Sequence, residues 1–278
     1  MQLVSRFFAA AVALLFLMGC AVHPHYSVGE ALLKGETPTL TQPPDSLRAE
    51  LELTAYADGQ ASEFKGLKGQ REQAGQKSTV SAALSAKPRV AYKLDIYGFP
   101  GTVAASFLWQ NNAWTLVIYD RENFVKGEGE HVEFGNLGIH EVSIHNIFAF
   151  LWGDFFPGIA SQNNLTLPIT FKRVNANQLE YRTQGQSWKA TLEASTGLVR
   201  EVVREDSAFR IHYVDYKILS GRTVPNRVQI FSRSGLLLEI KVKSLQDRPH
   251  WSRDPFFIKV PKSFRALVHE AADRTLTH

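Results

Sequence analysis

The sequence predicts a mainly β protein of the α+β class. One curved antiparallel sheet of about ten or eleven strands is expected, with its concave face covered by helices. Three observations lead there. Apolar and polar residues alternate with a period of two through most of residues 46–244. Short turn signals punctuate the alternation at Gly98-Phe99-Pro100-Gly101, Asn111-Asn112 and Ser234-Gly235. It breaks into a helical period at one central place, where Ile144, Ile147, Phe148, Leu151 and Trp152 recur at three- and four-residue steps.

Taken in order, Leu47, Ala49, Leu51, Leu53 and Ala55 alternate with Arg48, Glu50, Glu52, Thr54 and Tyr56, which makes a strand with one buried face. The Gly- and Lys-rich stretch Asp58 to Lys77 is expected to be a loop. Val80, Ala82 and Leu84 alternate next, then Val90, Tyr92, Leu94 and Ile96. Val103, Ala105, Phe107 and Trp109 return after the Gly98–Gly101 turn, and Trp114, Leu116 and Ile118 follow the Asn-Asn turn. Ser143 is a candidate N-cap for the central helix, and Gly153 or Pro157-Gly158 would end it. Strands resume at 179–182, 187–193, 198–205 and 209–216. Another opens at Val224-Pro225, and Leu238, Ile240 and Val242 follow the last turn. Pro225 belongs at a strand start or an edge, because it cannot donate to a ladder. Phe264, Leu267, Val268, Ala271 and Ala272 suggest an amphipathic C-terminal helix over 263–278.

The N-terminus carries its own signal. Arg6 precedes an uncharged apolar run from Phe7 to Met18, closed by Gly19 and Cys20. That is the layout of a secretory signal peptide over 1–19, and it is too short for a transmembrane helix of about 20 residues. Leu17-Met18-Gly19-Cys20 resembles the lipobox of bacterial lipoproteins. The resemblance implies cleavage before Cys20 and acylation of its thiol and amine. The alternative is an incidental cysteine beside an ordinary cleavage site. Cys20 is the single cysteine of the 278 residues, so the fold uses no disulfide. Ala21, by resemblance to Gram-negative lipoproteins, implies the outer membrane, with the protein facing the periplasm. Residues 20–45, with Pro24, Pro38, Pro43 and Pro44, form a tether, and 46–262 the folded domain.

Within the domain, Tyr92-Lys-Leu-Asp-Ile-Tyr-Gly-Phe-Pro-Gly-Thr-Val-Ala-Ala-Ser-Phe107 resembles the central hairpin of the LolB family of outer-membrane lipoprotein receptors. Trp114 to Tyr119 resembles that family's next strand. The helix around Ile144 to Trp152 with Phe156-Pro157-Gly158 resembles its lid, and Val224 to Val228 with Leu236 to Ser244 its last strand pair. The resemblance covers about residues 46 to 260. It implies a half-open β-barrel around an apolar cavity that binds acyl chains of lipids or lipoproteins. It also implies a hairpin tip, here Phe99 and Pro100, that inserts into membrane or cargo. The alternative for Phe99 is a cap folded back onto the sheet. The expected cavity is lined by Leu94, Ile96, Phe107, Trp109, Ile144, Ile147, Phe148, Leu151 and Trp152, and the same aromatic stripe also suits a plain core helix.

Other chemistry finds little support. His140 and His145 stand five apart, which turns them to different faces, so no metal site is expected. No Gly-x-Ser-x-Gly elbow, phosphate loop or cysteine nucleophile occurs. The formal net charge of +4 is too weak to argue for nucleic acid. The expectation is a non-enzymatic lipoprotein without cofactors that binds or transfers lipid, acyl chains or lipoproteins. Its partners would be membrane lipid through Cys20, an acyl cargo, and a periplasmic carrier or envelope protein. A scaffold subunit of an envelope complex is the alternative, and an envelope hydrolase a third. Cys20→Ser should leave the protein unacylated and free of membranes on sedimentation. An unchanged membrane fraction, with no lipid mass on the wild-type N-terminus, would refute the anchor.

Overall fold

The computed structural model describes residues 43–56, 77–98, 101–129, 144–156, 171–183, 185–205, 209–232 and 235–267. The signal peptide, Cys20, most of the tether, the 58–76 loop, Phe99, Pro100, His140 and Ser143 lie outside the described residues.

Alternation becomes strand throughout. One meander runs β1 (Leu47–Tyr56), β2 (Lys77–Lys87), β3 (Ala91–Tyr97), β4 (Val103–Gln110), β5 (Ala113–Ile118) and β6 (Asn123–Glu128). A second runs β7 (Phe171–Asn175), β8 (Gln178–Thr183), β9 (Gln186–Leu192), β10 (Val199–Arg204), β11 (Arg210–Leu219), β12 (Arg222–Ser232) and β13 (Gly235–Asp247). Antiparallel pairing of β1 with β13, Leu47 opposite Asp247 through Ala55 opposite Leu238, joins the two meanders. A two-residue strand, β14 (Arg265–Ala266), pairs parallel with β6. The result is one 14-stranded sheet, ordered β14-β6-β5-β4-β3-β2-β1-β13-β12-β11-β10-β9-β8-β7.

Three findings correct the expectations. The strands number fourteen, not ten or eleven. The extra ones, β6, β7 and β14, lie at the ends of the sheet. In β7 only Phe171 is even half-buried, so it has no alternation to read. Second, among the described residues helices do not blanket the concave face. Among the described residues one short segment covers it: α1 (Ile144–Phe148), tightening into a 3-10 turn at Ala149–Trp152. Its residues Phe148 to Trp152 are all buried, Phe150 included, so it is a plug surrounded by protein rather than a helix with one wet face. Gly153, at φ 88°, ends it in the left-handed region. Third, a helix does not begin at 263. Phe264 to Leu267 are extended along β6, with Arg265 N–H donating to Glu122 O and Leu267 N–H to Phe124 O. Residues 268–278 lie outside the described residues.

The plug reports the curvature of the sheet. Trp152 lies against Tyr92 on β3 with ring centres 6.5 Å apart. Phe156, four residues on, meets Tyr181 on β8 at 5.3 Å. In a flat sheet β3 and β8 would stand eight strand spacings apart, roughly 38 Å. The chain between Trp152 and Phe156 is folded back by Gly153 and by Phe156 N–H donating to Asp154 Oδ1 at 3.1 Å. The two wings of the sheet therefore curve toward each other around the plug, as a half-open barrel.

Cross-strand rows build the inner face of the first wing. Leu47, Ala86, Tyr92, Trp109, Trp114 and Gly127 form one row, and the first five are buried. Gly127 is there because the Trp114 indole lies over it. A Cβ on Gly127 would come within 2.3 Å of Trp114 Cζ2. Gly127→Val should force the indole out and cost about 1–3 kcal/mol, lowering Tm by several degrees in a calorimetric scan. An unchanged Tm would show that the indole does not need this place.

Candidate functional site

Burial declines in steps along the first wing. Beside the tightly packed Tyr92–Trp109 row runs a second row through Leu94, Phe107, Leu116 and Val125, and beside that a third through Ile96, Ala105 and Ile118. Phe107 is buried, whereas Leu94, Leu116, Val125, Ile96 and Ile118 are half-buried. Ile147 of α1 is half-buried too. It packs against the same core and also against Leu237 on β13. The plug thus packs against the Tyr92 end of the first wing, and further along the same strands the inner face is an apolar floor that is only half-buried.

The predicted cavity residues separate along this gradient. Phe107, Trp109, Phe148, Leu151 and Trp152 come together in the packed half, where the plain-core reading of the helix holds. Leu94 and Ile96 are half-buried together on β3, and Ile147 is half-buried against Leu237 on β13. Ile144 opens α1, and its side chain lies outside the described residues. Phe99 and Pro100 also lie outside them. The base of their loop is described: Gly98 N–H donates to Thr102 O at 3.1 Å, and Gly101 takes φ 87°. The two ends of the loop therefore meet at the same end of the sheet as the half-buried rows.

Several contributors escaped the sequence reading. Leu116 and Val125 complete the floor, and only the β5–β6 register places them there. Tyr92 is the contact between strand and plug, with Phe148 at 6.3 Å. The opposite wing supplies an aromatic wall. Phe155 meets Tyr213 at 5.2 Å and Tyr216 at 5.6 Å, and Phe156 meets Phe171 at 5.2 Å. Tyr213 O–H donates to Phe155 O at 3.3 Å, and Tyr216 O–H donates to Val199 O. Burial raises the pKa of all three tyrosines, Tyr181, Tyr213 and Tyr216, so they stay neutral hydrogen-bonding groups. Trp188 stacks on Tyr181 at 6.2 Å, and its buried indole N–H finds no acceptor among the described residues. Among the described residues no three His, Cys, Asp or Glu side chains come together as a metal site.

One carboxylate sits inside this wall. Asp154 is 8% exposed and lies just past the plug. Burial pushes its pKa up from 3.8 to about 6, against the opposing pull of the Phe156 N–H and the Arg89 guanidinium. A folded state that holds its proton more tightly than the unfolded chain gains stability as pH falls. This contribution is complete below pH 3.8 and is lost as pH rises through about 6. The shift corresponds to about 3 kcal/mol. Asp154→Asn keeps an oxygen for the Phe156 N–H and removes the charge. Denaturant unfolding should therefore find the variant more stable than wild type at pH 7.5, with the gap closing near pH 4. Parallel pH profiles would show that Asp154 titrates as an ordinary carboxylate.

No protein-family model matches the chain, and no curated protein matches it in sequence. Solved structures do align with it. A DUF1329 family protein from Desulfovibrio piger is 10% identical, with a TM-score of 0.52 over 85% of this chain and 97% of its own. A LolA superfamily protein from Nitrosomonas europaea is also 10% identical, at a TM-score of 0.46 over 79% of this chain and 93% of its own. These are likenesses of shape between distant sequences. The chain shares the fold of the DUF1329 family protein, and its wide sheet curved around a plug has the half-open form that the hairpin and helix motifs led us to expect.

Proposed function

We propose that this protein binds an acyl chain in the half-open part of the barrel and carries it, or the lipid or lipoprotein bearing it, without bond chemistry. The observation that carries this reading is the apolar floor of Leu94, Ile96, Leu116 and Val125, half-buried on adjoining strands of the inner face. Core positions ordinarily close such a face completely. Each methylene moved from water onto that floor contributes about 0.8 kcal/mol, so a long chain binds by apolar contact alone. Trp188 supports the reading from the other wing: its unpaired indole N–H suits the carbonyl or carboxylate oxygen at the head of such a ligand. The lipobox around Cys20 and the LolB-family resemblance of the hairpin agree with an outer-membrane lipoprotein facing the periplasm. In that setting the Phe99–Pro100 tip, at the open end of the floor, would touch membrane or cargo.

A fluorescent fatty acid should bind saturably and be displaced by phospholipid. Leu94→Asp with Leu116→Asp should abolish that binding while Tm falls only modestly, since both side chains already reach water. Failure of the wild-type protein to bind any acyl probe would overturn the proposal.

A further inference from the structure

After β13 the chain does not leave the sheet. Residues 248–264 form an irregular strap from the start of β1 to the far end of β6. It is tied at both ends, by Arg248 N–H donating to Ser46 O at 2.9 Å and by the β14–β6 pairing. Between them, Lys87 stands over the Phe256 ring with Nζ 5.2 Å from its centre. Lys87 alternates with the inward-facing Ala86, so the strap here lies on the convex face, outside the barrel. Trp251 meets Phe256 edge-on at 5.4 Å.

The strap itself alternates. Phe256 is buried, whereas its neighbour Phe257 is 66% exposed and is the one exposed Phe or Trp among the described residues. Lys259 and Lys262 are exposed on the same outward side, and Arg248, Arg253 and Arg265 are exposed along its length. From 248 to 265 these five cations face a single acid, Asp254, which accepts from Phe256 N–H at 3.0 Å. Residues 248–265 thus carry a net +4, equal to the formal net charge of the whole chain. Among the described residues Arg253, Lys259 and Lys262 make no ion pair. Prolines and apolar residues space the cations apart, so no run of Lys or Arg marks them in the sequence.

We infer that this strap is a docking surface for an anionic lipid bilayer. An outward aromatic flanked by unpaired lysines on a pinned, extended segment is suited to headgroups: the cations meet phosphate and the ring enters the interface. The route of the chain points to the same partner. The 42 residues before the described part, with the apolar run and Cys20 among them, join at Pro43, three residues from the Ser46–Arg248 hydrogen bond that starts the strap. A tether anchored at Cys20 would join the domain beside this edge of the convex face, with the barrel's apolar floor on the other side of the sheet. The inference is independent of acyl carriage, because the strap and the floor lie on opposite faces.

The test uses the full chain with Cys20→Ser, so that no acyl chain contributes. Co-sedimentation is measured at low ionic strength with excess vesicles containing phosphatidylglycerol and with phosphatidylcholine vesicles, conditions that retain the weak, reversible docking which a salt-washed cell membrane fraction loses. Binding should favour the anionic vesicles and fall with added salt. Lys259→Glu with Lys262→Glu should weaken anionic binding by roughly tenfold or more, at about fivefold per cation lost. Phe257→Ser should weaken binding to both vesicles. Thermal melting should stay unchanged in each, since the side chains are exposed, and fatty-acid binding should persist. Equal binding by parent and variants would overturn the inference. So would capture on an acidic polypeptide without vesicle binding, which would make the strap a protein-docking surface.

Discussion

A fourteen-stranded sheet has more apolar surface on its inner face than one short helix can cover, and the structure follows from how that face is closed. Among the described residues, thirteen lie on it, Ile144 to Phe156. To be buried on every side, those residues need walls on both sides, so the sheet curves until Tyr92 of one wing and Tyr181 and Tyr213 of the other reach them. Among the described residues the plug covers the Tyr92 end of the first wing, and the half-buried floor of Leu94, Leu116 and Val125 lies further along the same strands.

The two wings solve their packing differently. The first uses aliphatic rows and two tryptophans, with Gly127 leaving room for an indole. The second uses stacked and edge-on aromatics with hydroxyls bonded to backbone carbonyls, an arrangement that tolerates polar atoms inside. That polarity is what admits Asp154, held by Phe156 N–H beside Tyr181 and Tyr213. An acid in the aliphatic wing would have no such partners and would cost more. The outer face is laid out on a different principle: the strap is pinned by one inward aromatic, Phe256, and leaves its charge outside.

How much of this was legible varies with the physics behind each feature. Period-two alternation reports that a strand has one dry face, so β1 to β5 and β8 to β13 could be read directly. It fails at sheet ends, where neither face is fully dry, and so β6, β7 and β14 were missed. The helical period at Ile144 to Trp152 correctly located the plug. Phe150, off the predicted face yet buried, shows why the amphipathic reading fell short: a segment enclosed by a curved sheet has no solvent side. Of the proposed cavity residues, Leu94 and Ile96 lie on the half-buried floor and Ile147 is half-buried against Leu237, while Phe107, Trp109, Phe148, Leu151 and Trp152 are core. Sequence spacing places side chains on a common face but cannot say how far along that face the covering segment extends.

The sequence by itself determined the β-rich class, the register of the central hairpin, the place of the plug and the candidate anchor at Cys20, because each depends on local periodicity or a contiguous motif. Only the tertiary structure decided that β1 closes against β13, nearly two hundred residues away, since alternation names a face and never a partner. It also decided that an aspartate following Gly153 is buried, that Leu116 and Val125 extend the floor, and that the spaced cations of residues 248–265 share one outer surface. These are consequences of which surfaces meet when the sheet curves, and residues distant in sequence acquire a common environment only then.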